Sequence, residues 1–269
     1  MSALGDQGHL SIGGASLEYR MIGPRPDAAP VIVMLHEGLG AVTTWGDFPA
    51  RLVEQTGAGV FVYSRAGYGK SSTIALPRPL DYMQREATEV LPQVLDAIGF
   101  RRGILLGHSD GATIAAYYGG SVQDHRVRGL VLIAPHFFME DSNIAAIRKT
   151  VEAYETTDLR AKLARHHADV DAAFRGWSGA WLDPGFANFD TTDALAYIRV
   201  PILALQGAAD PYGTVAQVRV LEDECYCPVE AVVLDGVGHA PQREDSAATL
   251  SKIADFTSRI FSEGVENAA

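Results

Sequence analysis

Gly107-His108-Ser109-Asp110-Gly111 directly follows the apolar run Gly103-Ile104-Leu105-Leu106 and opens a run of small residues, Ala112-Thr113-Ile114-Ala115-Ala116. The pattern predicts a strand, a sharp turn and a helix, with Ser109 at the apex of the turn. A serine held there is forced into a strained backbone conformation, and flanking glycines let strand and helix pass without clashing Cβ atoms. Its Oγ then stands above the sheet edge, within reach of a base.

A nucleophilic serine needs such a base, and an orienter for it, because a free hydroxyl is scarcely ionised at neutral pH. Pro201 to Gly207 reads as a buried parallel strand with Asp210 just beyond it, and Val229 to Leu234 reads as the next strand with His239 just beyond. The chain order is therefore Ser109, Asp210, His239, one of the known solutions to the triad problem. Asp235 is a second candidate orienter, but it sits in the turn signal Leu234-Asp235-Gly236. Asp210 is preferred on its place at a strand end.

With these motifs the chain resembles a capped serine hydrolase of the α/β-hydrolase fold superfamily, carboxylesterase-like, from about Leu10 to about Phe261. The resemblance implies an α/β fold: a mostly parallel, doubly wound sheet with a helical cap inserted before the seventh strand. It places an oxyanion hole in His36-Glu37-Gly38-Leu39-Gly40, after the strand Val31–Leu35, with backbone donors at Gly38 and Asp110. Glu37 stands where the family more often has glycine, which leaves the register of that loop open by one residue and puts a carboxylate near the pocket. Tyr63-Ser64-Arg65-Ala66-Gly67-Tyr68-Gly69-Lys70-Ser71-Ser72 resembles the family's glycine-containing loop after the following strand and reads as a structural turn. It lacks the spacing of a phosphate loop.

The remaining sequence agrees with one soluble domain. A length of 269 residues with 47 % hydrophobic content accommodates a full core and one insertion. A net charge of −11 without any basic run excludes a nucleic-acid surface. No stretch has the length and apolarity of a membrane span, and Met1 to Leu10 lacks the pattern of a signal peptide, so a cytoplasmic location is expected. Cys225 and Cys227 are badly placed to bridge each other and read as ordinary thiols. His36-Glu37 is not followed by a histidine at position 40, and no metal site is expected.

Strands are expected at 10–12, 16–21, 31–35, 59–64, 103–107, 129–134, 201–206 and 229–234, and helices at about 46–56, 80–98, 110–120, 214–223 and 244–262, the second kinked at Pro92. The alternation breaks once, for about sixty residues after Pro135, where only helical periodicity is found. This divides the chain into a core of 1–135 and 197–269 and a helical cap of 136–196. Aromatic residues concentrate at the cap's entry and in its far half. Phe137, Trp177 and Trp181 are the expected pocket residues, together with Glu37. His166 and His167 lie among charged residues and read as a solvated helix face. His108 should point away from the cleft.

The expected chemistry is cleavage of neutral, apolar carboxylic esters through an acyl-enzyme on Ser109, with no cofactor and a small molecule as partner. The resemblance leaves alternatives: a carbon–carbon bond hydrolase of aromatic ring-cleavage products, whose anionic substrates want a cationic pocket; cofactor-free perhydrolysis or haloperoxidase activity, which needs only the same triad; or a slow-turnover ligand receptor. Members of the fold that open epoxides or remove halides use aspartate where this chain has Ser109. Oligomeric state is not legible.

Overall fold

The computed structural model describes residues 4–266, so the outermost bounds of the expected core, 1 and 269, lie outside the described residues. Eight strands form one sheet in the order β1-β2-β4-β3-β5-β6-β7-β8: β1 (Gln7–Ile12), β2 (Ala15–Ile22), β3 (Val31–Leu35), β4 (Gly59–Tyr63), β5 (Gly103–His108), β6 (Val127–Ile133), β7 (Ile202–Gly207) and β8 (Val229–Leu234). β1 and β2 form an antiparallel hairpin and β2 pairs antiparallel with β4; every other pair is parallel. All eight strands lie where the sequence places them, within three residues at any end.

Central strands are apolar along their whole length because both faces are covered, as parallel sheets require. Alternate residues go to opposite sides. Ile32, Met34, Ile104, Leu106, Val131 and Ile133 join one core with Phe48 and Leu52 of α1 (Phe48–Thr56). Val31, Val33, Leu35, Leu105, Leu130 and Leu132 join the other.

Between β4 and β5 the expected single helix is broken into α2 (Tyr82–Arg85), a π turn (Glu86–Val90) and α3 (Leu91–Ala97). Pro92 has no N–H to offer the carbonyl four residues back, and the helix widens just before it. α4 (Asp110–Ser121) follows β5. The segment between β6 and β7 is helical as expected: α5 (Asp141–Thr156), α6 (Leu159–Leu163), α7 (Val170–Trp181) and α8 (Thr192–Leu195). α9 (Ala216–Glu224), α10 (Pro241–Glu244) and α11 (Ser246–Glu266) complete the chain, and Leu250, Ile253 and Phe256 of α11 share the core of α1. Among the described residues no helix is long and apolar enough to cross a membrane.

Candidate active site

The C-terminal ends of β3, β5, β6, β7 and β8 converge on one cavity of about 120 Å³, the place where open parallel sheets usually bind ligands. From β3 come Glu37, Gly38 and Leu39; from β5, Ser109 and Asp110; from beyond β6, His136; from β7, Tyr212; from β8, His239. Asn143 and Ile147 of α5 and Trp177 and Trp181 of α7 close it.

Ser109 has φ +54° and ψ −120°, a left-handed conformation that a side chain adopts only under strain. The two glycines permit it. A Cβ on Gly107 would stand 2.1 Å from the Gly111 carbonyl, and one on Gly111 2.1 Å from the Leu35 carbonyl. Backbone bonds then hold the apex: Ser109 N–H donates to Ile133 O (2.8 Å), and Ala112 N–H donates to Ser109 O (2.8 Å).

Asp210 and His239 meet as the sequence suggests, with His239 Nδ1 2.8 Å from Asp210 Oδ2. Gln206 Nε2 donates to the same oxygen (2.9 Å), and the Tyr212 amide donates to Oδ1 (2.8 Å). Burial alone would raise the Asp210 pKa, but the His239 contact outweighs it and holds the carboxyl below its ordinary value. Asp235 is exposed and has no contact with His239 among the described hydrogen bonds. Ser109 Oγ has no protein partner among the described residues. It shares the cavity wall with His239, and such contacts tighten only when substrate is present.

The His36–Gly40 loop is pinned from several sides. The buried Arg65 donates to the carbonyls of His36 and Glu37. Its amide donates to His36 Nε2 (3.0 Å), so His36 carries its proton on Nδ1, which donates to Glu37 O (2.7 Å). Burial and then the Arg65 charge hold His36 well below the usual histidine pKa. Trp177 packs closely against the loop: a Cβ on Gly38 would stand 2.3 Å from its indole. The amides of Gly38 and Asp110 donate to no acceptor among the described residues. The side chain of Asp110 is fully buried; Tyr82 Oη donates to its Oδ2, and Trp181 Nε1 donates to Tyr82 Oη (3.1 Å).

Glu37 borders the cavity as expected, but its carboxylate is engaged. Oε1 lies 3.2 Å from Arg243 Nη2 and Oε2 3.6 Å from His108 Nδ1. Burial would raise its pKa; His108 and Arg243 together overcome this and hold it well below the carboxylate range. His108 itself is buried and bonds the His239 carbonyl through Nε2 (2.7 Å), a structural role as the sequence suggests.

Two expectations differ. Phe137 does not border the cavity: it is fully buried in the core, its amide donating to Gln217 Oε1 (2.7 Å). The chain turns at Ala134 (φ +47°), and His136 takes the cavity position instead. His166 and His167 are not a solvated face. His167 is buried, its Nδ1 accepting from the Gly69 amide (3.0 Å) and its Nε2 bonding Leu39 O (3.0 Å). His166 Nδ1 is 2.8 Å from Thr43 Oγ1.

His136 was legible only as a residue at the entry of the helical segment. Its ring stacks on His239 with centroids 5.5 Å apart, and burial, followed by the nearby His239, pushes its pKa down to about 3. The signal that could have found it is the one used for Asp210 and His239, a polar residue just past a parallel strand.

The alpha/beta hydrolase family model matches residues 32–252. Epoxide hydrolase 3 of Xenopus tropicalis is 21 % identical over 302 residues, 97 % of this chain and 80 % of that protein. The bifunctional esterase/perhydrolase DCH of Acinetobacter calcoaceticus is 26 % identical over 228 residues, 73 % of this chain and 79 % of that one. Among solved structures, the enol-lactonase from Burkholderia xenovorans superposes with a TM-score of 0.74 at 19 % identity, covering 93 % of this chain and 100 % of that chain. With most of its length matched by the family model and its sheet, helices and strand order agreeing, the chain belongs to the α/β hydrolase family.

Proposed function

We propose that the protein is a serine hydrolase that cleaves small, neutral, apolar carboxylic esters. The observation that carries this reading is Ser109, held at φ +54° in the same cavity as a histidine whose Nδ1 is fixed by a buried aspartate. Ser109 attacks the ester carbonyl while His239 Nε2 takes its proton; His239 then returns the proton to the leaving alcohol. Asp210 keeps the His239 proton on Nδ1 and stabilises the imidazolium. The free amides of Gly38 and Asp110 receive the developing oxyanion, a contribution of about 3–4 kcal/mol for one such donor in comparable sites. Water cleaves the acyl-enzyme by the reverse sequence.

Size and charge of the cavity narrow the substrate. About 120 Å³ is the share of roughly four liquid waters, which suits a short acyl group. The charged residues on its wall, Glu37 and Asp110, are both acidic, which supports a neutral substrate over an anionic ring-cleavage product. The helical segment 136–196 acts as the cap, supplying Trp177 and Trp181 as the apolar wall. A serine rather than an aspartate at the apex separates the expected chemistry from that of an epoxide hydrolase.

A fluorophosphonate probe, followed by peptide mapping, tests the proposal. Labelling should fall on Ser109 alone, and Ser109→Ala should abolish turnover of p-nitrophenyl acetate. Labelling elsewhere, or undiminished turnover in the variant, overturns the mechanism. Labelling without steady turnover would point to a ligand receptor.

A further inference from the structure

His136 has a chemical state that its neighbours dictate. Asn143 Oδ1 accepts from the Glu140 amide (2.6 Å), and Asn143 Nδ2 donates to the Tyr212 carbonyl. Both partners are backbone groups whose roles cannot reverse, so the orientation of the Asn143 amide is fixed. Its Nδ2 therefore faces His136 Nδ1, 3.3 Å away, and that nitrogen must accept. In a neutral imidazole the proton then sits on Nε2. This N–H has no partner among the described residues, although the side chain is only 2 % exposed and borders the cavity. A donor on the cavity wall with no protein acceptor is free to bond a ligand there.

The location says what kind of partner. The imidazole stacks on His239 at 5.5 Å and meets Trp181 edge-on at 5.3 Å, so the free N–H lies within about one side chain's width of the reacting atoms. In a cavity of about 120 Å³ shared with Ser109 and His239, an acceptor for it belongs to a small substrate and lies close to the scissile carbonyl.

We propose that His136 is a substrate-binding residue whose Nε2–H donates to a second oxygen of the substrate, so that the site prefers small neutral esters with an ether or hydroxyl oxygen next to the ester group. This deepens the esterase reading and rests on it. The chain uses His239 for proton transfer and His136, kept neutral and in one tautomer by Asn143, for recognition. Ala134 at φ +47° is the turn that delivers it.

Two isosteric substrate pairs test the proposal, each exchanging one CH₂ for one oxygen. p-Nitrophenyl methoxyacetate against p-nitrophenyl butyrate probes the acyl side, and 2-methoxyethyl butyrate against butyl butyrate probes the alcohol side. Each kcat/KM is divided by the ester's rate of hydroxide hydrolysis to remove intrinsic reactivity. In one pair the oxygen-to-methylene ratio should fall about tenfold in His136→Phe and recover in His136→Gln, which keeps a donor. Asn143→Leu, which leaves the imidazole in place but frees its proton to move to Nδ1, should shift the same ratio in the same direction. Ratios unchanged within twofold in both pairs overturn the proposal while leaving the esterase reading intact; turnover of none of the four esters overturns both. Nitrogen-15 spectra of the unmodified protein give an independent readout should a variant fail to fold. His136 should be neutral and protonated on Nε2 at pH 5, and a proton on Nδ1 overturns the assignment.

Discussion

Asp210→Asn is the most informative single change, because the surroundings of the carboxylate leave an amide no comfortable orientation. Oδ1 accepts from the Tyr212 amide, and Oδ2 accepts from both His239 and Gln206. If the new amide keeps its oxygen toward Tyr212, its NH₂ faces the Gln206 NH₂ and His239 Nδ1. Nδ1 must then accept, the imidazole proton moves to Nε2, and the nitrogen needed to deprotonate Ser109 is blocked. If the amide flips, its NH₂ meets the Tyr212 N–H instead. Gln206 cannot relieve the first clash by turning over, because its Nε2 also donates to the Gly213 carbonyl (3.0 Å).

Either orientation places two donors head to head in a buried site, at about 1–3 kcal/mol. The population holding the productive tautomer is therefore small, and the imidazolium loses its counter-charge as well. A fall in kcat of about 10³–10⁴ is expected, with KM for p-nitrophenyl acetate changed little, since the aspartate does not border the cavity. Steady-state kinetics at pH 7.5, with fluorophosphonate labelling rates on the same preparations, measure this. Asp235→Asn is the control and should leave both rates within twofold. A kcat for Asp210→Asn within tenfold of the parent would refute the role given to Asp210.

Gly38→Ala places a methyl 2.3 Å from the Trp177 indole, so the loop or the tryptophan must move; kcat should fall by about 10²–10³, and Trp177→Ala in the same chain should recover part of it. Glu37→Gln removes the negative member of a pair with Arg243 at the cavity mouth. It should raise kcat/KM for an aryl ester bearing a free carboxylate by roughly threefold to tenfold relative to a neutral ester, and the gain should vanish at high salt. Stability should fall as pH drops from 6.5 to 5. His36, His136 and His167 are all held below the ordinary value of 6.5, so the unfolded chain takes up protons that the folded one refuses, at no more than about 1.4 kcal/mol per pH unit for each group. Their contribution is complete above pH 6.5, and a urea midpoint unchanged between pH 7 and pH 5 would contradict it.

Much of the fold was legible because it rests on local signals. Short apolar runs bounded by turn residues locate the central strands, and the strand–turn–helix context of Ser109 needs only residues 103–116. Asp210 and His239 were found by a rule about strand ends. Legibility fails where the deciding contact is remote in sequence. His167 is fixed by Gly69 and Leu39, each about a hundred residues away, and its charged neighbours suggest solvent instead. The exchange of Phe137 for His136 at the cavity turns on Ala134. A positive φ is unusual for alanine, and no glycine marks the bend that decides which of the two side chains faces inward.

These remote contacts link the helical insertion to the oxyanion loop. His167, in the turn before α7, bonds Leu39 O; Trp177, on α7, lies against Gly38; Trp181, one turn on, reaches Asp110 through Tyr82. Both proposed oxyanion amides are thus braced by one helix and the turn leading into it. Lifting α7 away from the sheet would free the cavity for entry, and the same movement would withdraw the braces from the Gly38 and Asp110 amides. Ser109, Asp210 and His239 depend on none of these contacts, being held by β5, β7, β8 and their own loops. The nucleophile and its base therefore stay assembled whatever the position of α7, while stabilisation of the oxyanion requires α7 to be seated. A substrate too large to let Trp177 return to Gly38 would meet an intact serine and histidine and still react slowly, through a low kcat as much as a high KM.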